Sequence, residues 1–348
     1  MKKYFLCFTC ILCSAFAFGQ QKKTAPKPIP VKANPVPPPP EVRPGVYEPP
    51  TGNYELPPIV MPASDMIQIS ATQKNGAPVD INNMEELAKM DFSQLKTLSL
   101  STRLSDKILD QTVLQRIIEE AVELEILSID HFIIAGFPDI KTPNTHLKKL
   151  VLDRNQLNAL PASIGNLQAL ETLSCSNPLK GLPPSFATLK NMKELGLYDI
   201  EFTKFPDELF TLNKLSILYI SGSYKGNTKI KELPDLFGQL PGLKELGISY
   251  AGLSTLPASI GQLKYLNKVD FSHNLFSAFP AALANSMHLE YVPFSSNPLK
   301  WNDFLASVKQ IKWQGLFFLH ETGLSKQQYE TVQQILSKTD VYYDGMND

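Results

Sequence analysis

Net charge is nearly absent from this chain. Thirty-three Lys and Arg stand against 34 Asp and Glu, for a formal charge of −1. Such a balance leaves no footprint for nucleic acid, which binds through basic patches. Cysteine is scarce as well. Of the four, Cys7, Cys10 and Cys13 fall in the first 19 residues, and Cys175 is the fourth. A single thiol closes no disulfide, so packing must hold the folded part together. The five histidines (His131, His146, His273, His288, His320) form no pair with metal-ligand spacing to a cysteine or carboxylate. No metal or other cofactor is therefore expected.

Long apolar runs are also missing, except at the start. Lys2 and Lys3 precede the run Tyr4–Phe18, with small residues at Ala17 and Gly19. This is the layout of a secretory signal peptide over residues 1–19, cleaved after Gly19. The run is shorter than the roughly 20 residues a spanning helix needs. Export is expected, to the periplasm or the exterior, with no transmembrane segment after cleavage. The residues before the signal cysteines fit a lipoprotein box poorly. Loss of Lys2 and Lys3 takes the formal charge from −1 to −3.

Residues 20–62 change character. Half of the 28 prolines lie between Pro26 and Pro62, including the run Pro37–Pro40. Such a segment cannot bury enough apolar surface to fold alone, and an extended, disordered linker is expected.

From Leu95 the chain repeats. The frame L-x-x-L-x-L-x-x-N-x-L is filled by Leu147, Leu150, Leu152, Asn155 and Leu157. Leu266, Val269, Phe271, Asn274 and Phe276 fill it again. Looser copies start at Leu95, Leu124, Leu170, Met192, Leu215, Leu243 and Leu289, at steps of 22 to 29 residues. In this frame the last two leucines point to one face of a short strand. One strand with its return segment cannot bury its own core, but stacked neighbours can.

Frame and period resemble the leucine-rich-repeat family. The subclass most resembled carries L-P-x-x-I-G-x-L in the return half of each repeat and occurs in bacterial proteins. The likeness runs from residue 95 to 301. It implies an α/β solenoid: a horseshoe with a parallel concave sheet and short helical or irregular convex segments.

The pentapeptide PASIG occurs at Pro161–Gly165 and again at Pro257–Gly261. Both copies fall on the return path, where proline can start a helical turn without its N–H. The residue three further on is apolar in each repeat, and the glycine is expected to end the turn. Asn155, Asn274 and Asn297 sit where the strand is left, with Asn177 one position early. Their expected task is to bond backbone groups the turn leaves unpaired. Residues 63–94 are read as an N-terminal cap, with a strand within Met61–Thr72 and a capped helix starting at Asn82-Asn83. Residues 302–348 are read as a degenerate repeat and C-terminal cap.

Catalytic patterns are weak. Asp270, Ser272 and His273 hold the ingredients of a triad, but not with the histidine between the other two. The stretch from Gly222 to Lys229 does not match a phosphate loop. Some members of the resembled family are ubiquitin ligases with a catalytic cysteine in a C-terminal domain. No cysteine follows Cys175 here. An enzyme is not expected.

What remains is the outward face of the sheet. Asp153, Ser174, Ser176, Tyr198, Tyr219, Ser249, Tyr250, Asp270, Ser272 and Tyr291 are the candidate partner-binding residues. Tyr198, Tyr219, Tyr250 and Tyr291 are expected to make an aromatic patch beside small, polar floors. Tyrosine gives contact area with little rotamer entropy. The stretch Ser221–Lys229 lengthens its repeat to 28 residues, and its Tyr224 and Lys225 suggest an exposed contact loop. Two readings follow from this face: a protein partner, or a glycan or cell-wall ligand stacking on the same tyrosines.

Overall fold

The computed structural model describes residues 67–226, 228 and 230–344. The signal peptide, the proline-rich linker, residues 63–66, and residues 227, 229 and 345–348 lie outside the described residues.

The described chain is built on one 13-stranded sheet. Strand β1 (Ile67–Gln73) pairs antiparallel with both β2 (Pro78–Val79) and β3 (Leu95–Thr102). From β3 onward all neighbours are parallel and follow chain order. These strands are β4 (Ile126–Asp130), β5 (Lys149–Asp153), β6 (Thr172–Ser176), β7 (Glu194–Ile200), β8 (Ile217–Gly222) and β9 (Glu245–Ser249). Then come β10 (Lys268–Asp270), β11 (Tyr291–Pro293), β12 (Leu316–Phe318) and β13 (Asp340–Tyr342). Each repeat contributes one strand, and the register steps by whole repeats: Lys149 lies beside Thr172, and Thr172 beside Glu194. This is the leucine-rich-repeat horseshoe that the frame implies. Among the described residues, no helix is long and apolar enough to cross a membrane.

The alternation in the frame becomes alternation in burial. In β5, Leu150 and Leu152 are buried while Lys149, Val151 and Asp153 are half-buried on the other face. The same holds for Leu195 and Leu197 in β7 and for Leu173 and Cys175 in β6. The thiol of Cys175 is fully buried, and desolvation pushes it up to about 12. A thiolate there is unfavourable, so Cys175 serves as a small core residue.

The return paths are single turns of 3-10 helix, such as Ala162–Asn166, Pro184–Thr188 and Ala258–Gln262. Each is preceded by its proline in extended backbone, at Pro161, Pro183 and Pro257. The residue three after that proline is buried each time: Ile164, Phe186 and Ile260. The glycines of PASIG have another purpose than the one expected. Neither has a positive φ. A Cβ on Gly165 would sit 2.6 Å from the Ser185 carbonyl oxygen, and one on Gly261 would sit 2.6 Å from the Ala282 carbonyl oxygen. These glycines let the next repeat's turn lie against them.

The asparagines form the expected ladder. The Asn155 amide oxygen accepts the Phe132 N–H at 3.0 Å, and its Nδ2 donates to the Ile129 carbonyl at 2.8 Å. Asn177 accepts from the N–H groups of Asn155 and Leu157 and donates to the Leu152 carbonyl. Asn274 accepts from Ala251 and Leu253 and donates to Ile248. Each amide therefore ties its own repeat to the preceding one and leaves no buried N–H orphaned at that corner.

Short helices flank the repeats. Helix α1 (Met84–Lys89) is capped by Asn83, whose side chain accepts the Glu86 N–H at 2.9 Å. Helix α2 (Gln111–Glu120) replaces the thin turn in the long first repeat. Its Arg116 lies 5.0 Å over the Phe92 ring and donates to the Met90 carbonyl, binding cap to solenoid. Helix α3 (Ala281–Ala284) follows Pro280 on a later return path. At the other end, α4 (Trp301–Val308), β12, α5 (Lys326–Ile335) and β13 continue the sheet. There Phe279, Phe294, Trp313 and Phe317 pack ring against ring at centroid distances of 5.3 to 6.3 Å.

Candidate binding face

Three columns of outward residues run across the parallel sheet, fixed by its register. The first holds Lys149, Thr172, Glu194, Ile217, Glu245, Lys268 and Tyr291. The second holds Val151, Ser174, Gly196, Tyr219, Gly247 and Asp270. In the third, Asp130 pairs with Asp153, Ser176 with Tyr198, and the buried Ser221 with the buried Ser249.

The serines and aspartates of these columns bond one another. Ser174 donates its hydroxyl to Asp153 at 3.1 Å, and the Ser176 N–H donates to the same carboxylate at 3.0 Å. The Ser176 hydroxyl donates to Asp199 at 2.8 Å. Asp270 accepts the Ser272 N–H at 3.0 Å. Burial raises the pKa of both Asp153 and Asp270 above the ordinary aspartate value, and these bonds oppose the rise. Ser249 and Ser272 are less available than expected. Both are buried, and the Ser249 hydroxyl is used on Ser221 at 3.0 Å.

The expected four-tyrosine patch does not form. Tyr198 and Tyr219 lie down on glycine floors. A Cβ on Gly196 would meet the Tyr198 ring at 2.7 Å, and one on Gly247 would meet the Tyr219 ring at 2.3 Å. Only glycine lets an aromatic ring rest on the strand backbone this way. The Tyr219 hydroxyl donates to Glu245 at 3.1 Å. Tyr250 leaves the face. It follows β9 with φ of 51°, and its ring stacks on His273 at 4.1 Å and 11°. Tyr291 belongs to a different group. It packs on Phe318 at 4.9 Å, and Phe318 stacks on Tyr342 at 5.0 Å.

Phe318 and Tyr342 were not among the sequence candidates. Their signal was present, because the strand of the tenth repeat and the one after it can be placed in the same columns. Carrying the outward positions into the cap would have found both.

Asp270, Ser272 and His273 are not arranged as a triad. The His273 ring is held by Tyr250, and among the described residues no hydrogen bond joins it to Ser272 or Asp270. The inserted loop is anchored at both ends. The Ser223 N–H and the Thr228 hydroxyl both donate to the Ile200 carbonyl. Between them Tyr224 is 76% exposed, with the Lys225 ammonium 6.0 Å from its ring. The loop borders a cleft of about 550 Å³ that Lys231, Glu232, Gly252 and Leu275 also line. That cleft lies past the strand ends, among residues that follow β8, β9 and β10.

No family model matches the chain. Among curated proteins, TMV resistance protein N of Nicotiana glutinosa is 36% identical over 112 residues, 31% of this chain. The match spans 10% of that relative's own length. A leucine-rich-repeat protein of Leptospira interrogans is 22% identical, over 69% of this chain and 81% of that one, with a TM-score of 0.31. Internalin C2 of Listeria monocytogenes is 21% identical, over 63% and 85%, with a TM-score of 0.47. InlP of the same organism is 23% identical, over 70% and 65%, with a TM-score of 0.47. The architecture, read from its own strands and register, is a leucine-rich-repeat solenoid.

Proposed function

We propose that this chain is an exported, non-catalytic recognition module that binds a protein partner on the outward face of its parallel sheet. It would belong to the bacterial exported leucine-rich-repeat type with the L-P-x-x-I-G return segment and a 23-residue period. The proline-rich segment 20–62 would act as a spacer after signal cleavage, in the periplasm or outside the cell.

One observation carries this reading. The core closes without the outward columns, yet those columns hold aromatic rings laid over glycine. A strand glycine weakens its strand, and large rings kept at the surface suit contact with another molecule. The inserted loop at Tyr224 and Lys225 would extend the contact at the strand-exit edge.

A glycan or cell-wall ligand is the second reading. It draws on Tyr198 and Tyr219, whose rings lie along the sheet as a sugar-stacking ring would. Affinity capture from envelope extract and a glycan array separate the two readings. For a captured partner, Tyr198→Ala with Tyr219→Ala is expected to weaken binding by about tenfold or more, or roughly 1.4 kcal/mol. An unchanged affinity removes the face from the binding site.

A further inference from the structure

We propose that the face receives a cationic segment of the protein partner, with Asp270 as the anchor for a lysine or arginine side chain. This rests on the concave-face reading above and names the partner's chemistry.

The first observation is the distribution of charge. The whole chain is almost neutral, at 33 basic against 34 acidic residues. Its outward strand positions are not. Asp130, Asp153, Glu194, Glu245, Asp270 and Asp340 stand there against Lys149 and Lys268, with Arg154, just past β5, paired to Asp130 at 2.6 Å, so acids still outnumber bases by six to three. The residues at and just before the strand starts behave differently. Lys96 and Lys148 both pair with Glu125, and Lys193 pairs with Glu171, so that edge neutralises itself. The acidic excess is a property of the face.

The second observation is the setting of Asp270. It lies beside Gly247, the position the Tyr219 ring covers. The lysine two residues before it, Lys268, is drawn to Glu245 at 3.1 Å. Among the described residues no lysine, arginine or histidine nitrogen lies within ion-pair distance of Asp270. Its hydrogen bond comes from the Ser272 N–H. Tyr291 stands on the neighbouring strand, opposite Lys268. Both Tyr219 and Tyr291 feel the Asp270 charge. A half-buried carboxylate between two tyrosine rings is suited to a cation. An ammonium or guanidinium gains the charge pair and the ring faces together. An anionic ligand would be repelled by the same excess. A metal ion lacks a donor set, because no group of three potential ligands exists among the described residues.

Asp270→Asn is an informative variant. The asparagine Oδ1 can still accept the Ser272 N–H, so the local bond survives while the charge goes. The probes are fluorescein-labelled oligolysine and oligoarginine peptides, with oligoglutamate as the opposite sign. Binding is read by fluorescence anisotropy at low and high salt.

The basic peptides are expected to bind, more weakly in high salt, and oligoglutamate is not. Asp270→Asn is expected to weaken the basic peptides about tenfold. Asp303→Asn, on the exposed side of α4, is expected to leave them unchanged. No binding of either basic peptide overturns the proposal. Equal weakening by Asp303→Asn also overturns it, since the attraction is then diffuse. A fall in the melting midpoint of Asp270→Asn at neutral pH would show a structural role instead. If a captured partner responds to the Tyr198→Ala and Tyr219→Ala pair but not to Asp270→Asn, the anchor is wrong and the face stands. Indifference to all three substitutions removes both.

Discussion

At the scale of single residues, the decisive feature is the cost of placing carboxylates on a half-buried face. Burial is the largest influence on Asp270, and it lifts the pKa above the unfolded value. The sign follows from linkage. With the folded pKa raised, the charged form opposes folding at neutral pH. That opposition fades as the pH falls through the folded pKa and is gone below the unfolded one. Asp270→Asn is therefore expected to be at least as stable as the parent at neutral pH. Its advantage should close on acidification through the carboxylate range. Thermal melts across that range check this, and a destabilised variant at neutral pH contradicts it. Residues were also where the sequence was hardest to read. Strand alternation alone does not place Tyr250, because a φ of 51° turns it out of the pattern and onto His273. Such a φ is uncommon outside glycine and carries no sequence mark in a tyrosine.

At the scale of elements, most of the return path was legible. The prolines, the buried residue three beyond each, and the asparagine corners all follow from local chemistry. The PASIG glycines do not, because their reason lies in the next repeat. Gly165 must admit the carbonyl of Ser185, 20 residues further on. Gly165→Ala is thus expected to cost about 1–3 kcal/mol by forcing two stacked turns apart. Gly181→Ala is the control. It has nothing within 4 Å of its Cβ position and no positive φ, so it should be neutral or gain about 0.4–1 kcal/mol. Denaturant unfolding of the two variants decides. If both behave alike, close stacking is not what Gly165 provides.

At the scale of the whole solenoid, stability is a sum over neighbours with two ends to protect. The C-terminal end is sealed by aromatic packing. Phe279 and Phe294 meet Phe317 at 5.5 and 6.3 Å, and Trp313 meets Phe279 at 5.8 Å. Ending the chain at Lys300 would bare Phe279 and Phe294. The truncated chain is expected to associate and to melt earlier. Size-exclusion chromatography and thermal melts test this, and a monomer with an unchanged midpoint would mean the segment is no cap. The helices and strands from Trp301 onward were readable from periodicity. Phe318 and Tyr342 were within reach of the same reading, because β12 and β13 continue the outward columns beyond β11.

The register has a metric consequence. Because each repeat adds one strand, the face is a ruler with a division of about 4.8 Å. Asp153 on β5 and Asp270 on β10 are five divisions apart, about 24 Å. An extended chain advances about 3.3 Å per residue and spans that gap in about seven residues. A helix, at about 1.5 Å per residue, needs about sixteen. The spacing of basic residues along a partner would therefore reveal which shape it takes when it lies across the sheet.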